Sequence, residues 1–541
     1  MRFSIQPALS RALAGATLAL GLVACGGNDS NFEVNTTLGA VSGTETASSY
    51  AYLGIPYAAP PVGNLRWRAP AAATPWSGTR SGANYAPHCA QPASAFGSAS
   101  TSEDCLYLNV YTPKGNGTYP VMVWIHGGAF YLGLSNAFDP SALVAKGVVV
   151  VTINYRLGAL GFMSHAALTA EQSGSSGNYG LMDQQAALRW VRSNIANFGG
   201  NANNITIVGE SAGGFSVHSH VASAGSAGLF HKAIAMSGAY PFGAPQDSLA
   251  VAQLKGAGVA TAVAAATSTT ACTTVECLRA LPVSALLTAQ ASVYPSGPVP
   301  SVDGSVLAAN VRTTIAAGTH NRVPMIEGTT RDEWRLFVAL DEYAAGGVAL
   351  ADNAAHIAKV TALLGGALNP AAGPTATALV NGLYSTPSIY PSASLAYGAL
   401  GTDMVFACNG RIAALELQQH APVYAYEFRD RTAPSALPPT TFSLGAYHGS
   451  ELQYIFPSSR PLTAEQQALA GTMTSYWTNF MKTGNPNGTG VPAWAAFTAA
   501  ADGYQGLDIA SGGGVAALGT NFATSHNCTA LNQGVPFTPT P

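Results

Sequence analysis

The sequence predicts an α/β fold built on a large, mostly parallel sheet covered by helices on both faces, with further helical insertions. Three observations predict it. Continuous apolar runs at residues 121–125, 148–154, 205–208 and 233–236 read as strands buried on both faces. Residues 179–197 carry Leu181, Met182, Ala186, Leu188, Trp190 and Val191 at helical spacing, so strand and helix alternate. The run ending at Val208 then breaks into Gly209-Glu-Ser-Ala-Gly213, an apolar strand leading into a G-x-S-x-G turn.

Composition sets the frame for these elements. Of 541 residues 48% are hydrophobic and only 9% charged, enough apolar material for one large core. The net charge of −3, without a run of Lys and Arg, excludes a nucleic-acid partner.

At the start of the chain, Arg2 and Arg11 precede an apolar segment at 12–24 that is too short to span a bilayer, so residues 1–24 read as an export signal. Leu22-Val-Ala-Cys25 resembles the lipobox of bacterial lipoproteins, in which the cysteine is lipidated. Residues 25–38 are then a lipidated N-terminus and polar tether, and 39–541 a single domain. The seven cysteines support this: an odd number in an exported protein leaves six for disulfides once Cys25 carries lipid. Gly26 lacks the aspartate of an inner-membrane retention signal, so the expected location is the outer membrane or cell surface of a bacterium. No C-x-x-C or His-Cys cluster points to a metal, and no cofactor is expected.

Further along, residues 41–75 alternate short strand-like runs with turns, and 103–111 read as an alternating strand. The run at 121–125 ends in His126-Gly-Gly-Ala-Phe130. Beyond Ser237 the stretches 250–290 and 340–400 are Ala-rich and helical, 323–327 and 423–428 read as later strands, and 463–483 as a helix.

These elements present a constellation for acyl transfer. Glycines let the chain turn sharply enough to expose Ser211, the candidate nucleophile. A serine hydroxyl needs a histidine to take its proton and a carboxylate to orient that histidine. In this topology the chain order is Ser, then Asp or Glu, then His. Of eleven histidines only His356, His420, His448 and His526 follow the acidic pair Asp332 and Glu333, and His448 alone lies in a Gly-flanked loop, Gly445-Ala-Tyr-His-Gly-Ser-Glu451. Composition leaves Asp332 and Glu333 open. The N–H groups of Gly127, Gly128 and Ala212 are the candidate oxyanion donors.

The stretch from Phe198 to Gly213, and Glu103-Asp-Cys-Leu-Tyr-Leu-Asn-Val-Tyr-Thr-Pro113, resemble the two signatures of the type B carboxylesterases, a family that includes bacterial carboxylesterases and cholinesterases. The resemblance extends to Lys482-Thr-Gly-Asn-Pro-Asn487. It implies an α/β-hydrolase fold and a serine carboxylesterase, with Ser211 as nucleophile, His448 as base and Glu333 as acid; the expected partner is a small-molecule or polymeric ester. Trp334 stands where the family's Asp-Glu-Gly motif has its glycine, which crowds the acid. The resemblance also implies disulfides Cys89–Cys105, Cys272–Cys277 and Cys408–Cys528, ion pairs Arg66–Glu103 and Arg156–Asp183, and a gorge-lining acid at Glu210. Residues 90–104 carry Phe96 as their one aromatic, which argues against a choline-ester specialist. The loop Tyr294-Pro-Ser-Gly-Pro-Val-Pro300 resembles an acyl-pocket segment and carries one aromatic, implying a roomy pocket. A lipase, a hydrolase of polyester-like substrates and a non-catalytic binding protein are the rival readings; the intact Ser, Glu and His oppose the last.

Overall fold

The computed structural model describes residues 32–94, 97–240, 246–364, 371–435 and 437–531. The expected signal at 1–24, Cys25 and Phe96 lie outside them. A small sheet forms from β1 (Glu33–Asn35), β2 (Ala40–Ser42) and β5 (Thr79–Ser81). Residues 32–38, expected as tether, thus belong to the folded unit, which begins at Phe32.

The main sheet has eleven strands among the described residues: β3 (Thr44–Glu45), β4 (Ser49–Pro56), β6 (Tyr107–Pro113), β7 (Tyr119–Ile125), β8 (Val149–Ile153), β9 (Gly200–Glu210), β10 (Lys232–Met236), β11 (Met325–Thr330), β12 (Val423–Phe428), β13 (Tyr504–Leu507) and β14 (Ala516–Gly519). Their order is β14-β13-β12-β11-β10-β9-β7-β8-β6-β4-β3, and the pairings from β8 through β13 are all parallel. This is the helix-flanked, mostly parallel sheet of the α/β-hydrolase fold.

The two-residue side-chain period sorts β7 between two cores. Val121, Val123 and Ile125 enter one, Met122 and Trp124 the other, all fully buried. Each such side chain contributes roughly 1.5–3 kcal/mol by leaving water. The helix Ala464–Thr483, closed at its start by a reciprocal cap between Thr463 and Gln466, lays Met473, Trp477 and Phe480 into the second core.

The sequence reading places a strand at 103–111, but β6 begins at Tyr107. Glu103 is instead held by Arg66 (2.5 and 2.7 Å) and Cys105 by Cys89, so 103–106 is a pinned link. The segment read at 323–327 is shifted to 325–330. Arg156 and Asp183 form a buried ion pair at 2.8 Å, and disulfides join Cys89–Cys105, Cys272–Cys277 and Cys408–Cys528.

Candidate active site

Parallel register brings the chemistry to one edge. Ile125 pairs with Gly209, and Glu210 and Gly328 both pair with Met236, so β7, β9, β10 and β11 end nearly level. The loops leaving those carboxyl ends carry the glycine loop, Ser211, Ser237 and Glu333 respectively.

Ser211 sits between β9 and the helix Ala212–Ala222 at φ 57°, ψ −125°, a conformation that side chains rarely adopt. Its N–H donates to the Met236 carbonyl at 2.9 Å, which holds the turn against β10. Gly209 and Gly213 make the step possible: a Cβ on Gly213 would strike the Ile125 carbonyl oxygen, and one on Gly209 would strike Gly213.

Gly127 lies against this turn, where an added Cβ would come within 2.9 Å of Ser211 Cβ. Among the described residues no backbone carbonyl accepts the N–H of Gly127 or Gly128. His126 braces the loop: its ring stacks on Tyr155, whose hydroxyl donates to the His126 carbonyl at 2.7 Å. Burial lowers the His126 imidazole to about 4, so it remains neutral. Gln91 clasps both backbone groups of Gly133 at 2.9 Å, joining the first disulfide loop to the end of the glycine loop. The 294–300 loop approaches from outside, with Gly297 packed on the Ala129 carbonyl.

His448 Nδ1 and Glu333 Oε2 are 2.6 Å apart. The other carboxylate oxygen of Glu333 accepts from the Ser237 hydroxyl (2.6 Å), the Thr329 hydroxyl (2.6 Å) and the Thr330 N–H (2.7 Å). Burial pushes this carboxyl up, yet His448, Ser237 and Thr329 together bring it below its ordinary value. His448 Nε2 stands 3.2 Å from Glu210 Oε1 without the alignment of a hydrogen bond. Burial disfavours the imidazolium, but the charges of Glu210 and Glu333, the Glu333 hydrogen bond and then Glu451 hold it up at about 9. Burial carries Glu210 to about 7 and Glu451 well above its usual range, so these carboxyls and the imidazole titrate as a group.

Of the sequence-named residues, Ser211, Ala212, Gly127, Glu210, Glu333 and His448 thus converge. The acids left open by composition separate: Glu333 faces the imidazole, whereas Asp332 faces Arg431 and Arg335. His356 is buried in the helix Asn353–Leu363, His420 packs on His320, and His526 has one ring nitrogen on Asp403 and the other on Glu427, each at 2.6 Å. Trp334 does not crowd the acid. Its ring lies where a side chain on Gly401 would be, and its backbone N–H donates to the Thr402 hydroxyl at 3.0 Å.

Sequence reasoning gave no role to Ser237, Thr329, Gln91 and Glu451, nor to the aromatic wall of Phe337 and Phe406, whose centroids lie 5.2 and 4.8 Å from the His448 ring. Glu451 lay in the quoted histidine loop, as His126 headed the quoted glycine loop; Ser237, Thr329, Gln91, Phe337 and Phe406 carry no sequence signal apart from the fold. Among the described residues no group of three or more His, Cys, Asp or Glu could hold a metal ion.

Comparison with known proteins agrees with this architecture. The model of the carboxylesterase family matches residues 30–518. A cocaine esterase of Oryctolagus cuniculus is 37% identical over 500 residues, covering 86% of this chain and 88% of the relative. A fumonisin B1 esterase of Sphingopyxis macrogoltabida is 40% identical over 324 residues, 58% of each chain. Among solved structures, a PNB esterase superposes with a TM-score of 0.75 at 32% identity, covering 92% of this chain and 99% of its own. Fold and sequence thus agree over nearly the whole described chain: it belongs to the carboxylesterase family and is a carboxylic ester hydrolase.

Proposed function

We propose that this chain hydrolyses carboxylic esters by a serine mechanism with an acyl-enzyme intermediate. Ser211 Oγ attacks the ester carbonyl as His448 takes its proton. The N–H groups of Gly127, Gly128 and Ala212 hold the tetrahedral oxyanion, and Glu333 keeps the imidazole oriented and stabilises its charge. Collapse expels the alcohol, which receives the proton from His448. Water, deprotonated by the same imidazole, then releases the acid and frees Ser211.

The observation that carries this reading is the 2.6 Å His448–Glu333 contact, placed at the same sheet edge as the Ser211 turn. The test is a fluorophosphonate, which should form one adduct on Ser211 Oγ. An adduct on another residue, or none, overturns the assignment. Glu210 is then a buried acid of the gorge that tunes the imidazole without taking a covalent part.

The N-terminal reading is a separate proposal, supported by the apolar segment at 12–24 and Leu22-Val-Ala-Cys25: residues 1–24 are removed, Cys25 carries lipid, and the catalytic domain is held at the outer membrane or cell surface. One acyl chain binds only marginally, so several are needed for a stable anchor. Cys25→Ser is expected to move esterase activity from the membrane to the soluble fraction; unchanged fractionation would remove the anchor.

A further inference from the structure

The two adjacent carboxylates at 332 and 333 divide between a ring and a backbone. Asp332 is buried, only 5% of its side chain being exposed, and accepts three hydrogen bonds beside one further ion pair. Arg431 grips it with Nε and Nη2, both at 2.8 Å; Arg335 Nη2 approaches to 2.9 Å; and the Ala446 N–H donates at 3.1 Å. Its own N–H returns a bond to the Ala446 carbonyl at 2.9 Å, and Arg335 Nη1 donates to the Ser443 carbonyl at 2.9 Å. Gly445, at φ +62°, lets the loop approach this closely, because a Cβ there would collide with the Asp332 carboxylate. Three residues further, the His448 N–H donates to the Glu333 carbonyl at 3.3 Å.

Apart from the Arg335–Asp332 pair, which lies within the acid's own segment, these contacts join the segment that carries the acid to the loop that carries the base. Among its described residues that loop has neither strand nor helix between Arg429 and His448, and it lines an open cavity of about 340 Å³. Other side-chain bonds tie the loop farther along the chain from His448, Thr441 to Glu342 at 2.7 Å and Gln466 to Asp430 at 3.0 Å, whereas the Asp332 contacts reach Ala446, two residues from the base. A base displaced by a fraction of an ångström loses much of its rate advantage.

We propose that Asp332, with Arg431 and Arg335, is a positioning strap for the catalytic histidine: it fixes the backbone that carries His448, while Glu333 fixes the ring. The inference rests on the serine mechanism proposed above. The strap touches neither substrate nor the reacting atoms, so its loss lowers turnover and leaves ground-state binding unchanged.

The experiment uses the full-length enzyme, p-nitrophenyl butyrate, and fluorophosphonate titration to count reactive serines. Asp332→Asn and Arg431→Ala should each reduce kcat per titrated site by about 10–10²-fold, with KM within about twofold. Arg431→Lys keeps the charge but not the two-pronged grip and should fall between these and wild type. Arg431 is half exposed, so free guanidinium at tens of millimolar should partly restore Arg431→Ala where equal sodium chloride does not. If kcat per titrated site stays within about twofold in Arg431→Ala and Arg431→Lys, whatever their melting temperatures, or if sodium chloride restores as much as guanidinium, the strap has no positioning role. Should Asp332→Asn fail to fold, the half-exposed Arg431 variants decide. Wild-type turnover abolished by Ser211→Ala keeps the serine mechanism whichever way the strap is decided; wild-type enzyme without turnover would count against that mechanism.

Discussion

Ser211→Ala is expected to lower kcat by about 10⁴–10⁶, leaving the rate supplied by binding and by the glycine loop. The fold should persist. Ser211 already occupies a strained turn at φ 57°, and alanine meets the same strain, because the Met236 carbonyl and the Gly209–Gly213 contact impose the geometry from outside the side chain. Loss of p-nitrophenyl ester turnover with an unchanged melting temperature is therefore the expected pair of results. Turnover at the wild-type rate would place the nucleophile elsewhere.

Glu333→Gln should cost about 10⁴-fold in kcat, the scale on which a triad carboxylate changed to an amide acts. Three donors converge on one oxygen of Glu333, and one of them, the Thr330 N–H, cannot reverse its role. The glutamine must keep its carbonyl oxygen there and turn its NH₂ toward His448 Nδ1. The ring then carries its proton on Nε2, where a base must be empty. The pH dependence follows with a definite sign. Glu333 helps hold the imidazolium up at about 9, so its neutralisation lowers that value and moves the acid limb of kcat/KM to lower pH. Glu333 itself is lowered from 4.5 on folding, so the stability it contributes is present above that value and is lost as pH falls through the folded one. The Glu333→Gln variant should therefore show a flatter fall in melting temperature below about pH 4.5. Unchanged pH–rate and pH–stability profiles would contradict the assignment.

The centre of the sheet was legible because strands buried on both faces have little choice but continuous apolar runs, as at Val121 to Ile125. Its far edge was not: β13 and β14 are only four residues long, β14 is all Ala, Leu and Gly, and their pairing is a tertiary outcome. The glycine loop, elbow and histidine loop were legible because close backbone approach demands glycine. The partners of Glu333 were invisible, since Ser237 and Thr329 are ordinary residues that meet the carboxylate only when β10 and β11 end side by side. Asp332 and Glu333 could not be told apart by composition, since adjacent residues of like chemistry differ only in the direction the chain gives them.

Trp334 and Gly401 bear on how this sequence can drift. The indole occupies the volume that any side chain at 401 would need, so the residues are two halves of one space filled from one side. A larger residue at 401 is unacceptable while tryptophan remains, and a small one at 334 leaves a void while glycine remains. Each single step descends, and only the paired exchange returns to a filled site. The positions are therefore epistatic, and a search for altered specificity near His448 that samples them one at a time will score both as immutable.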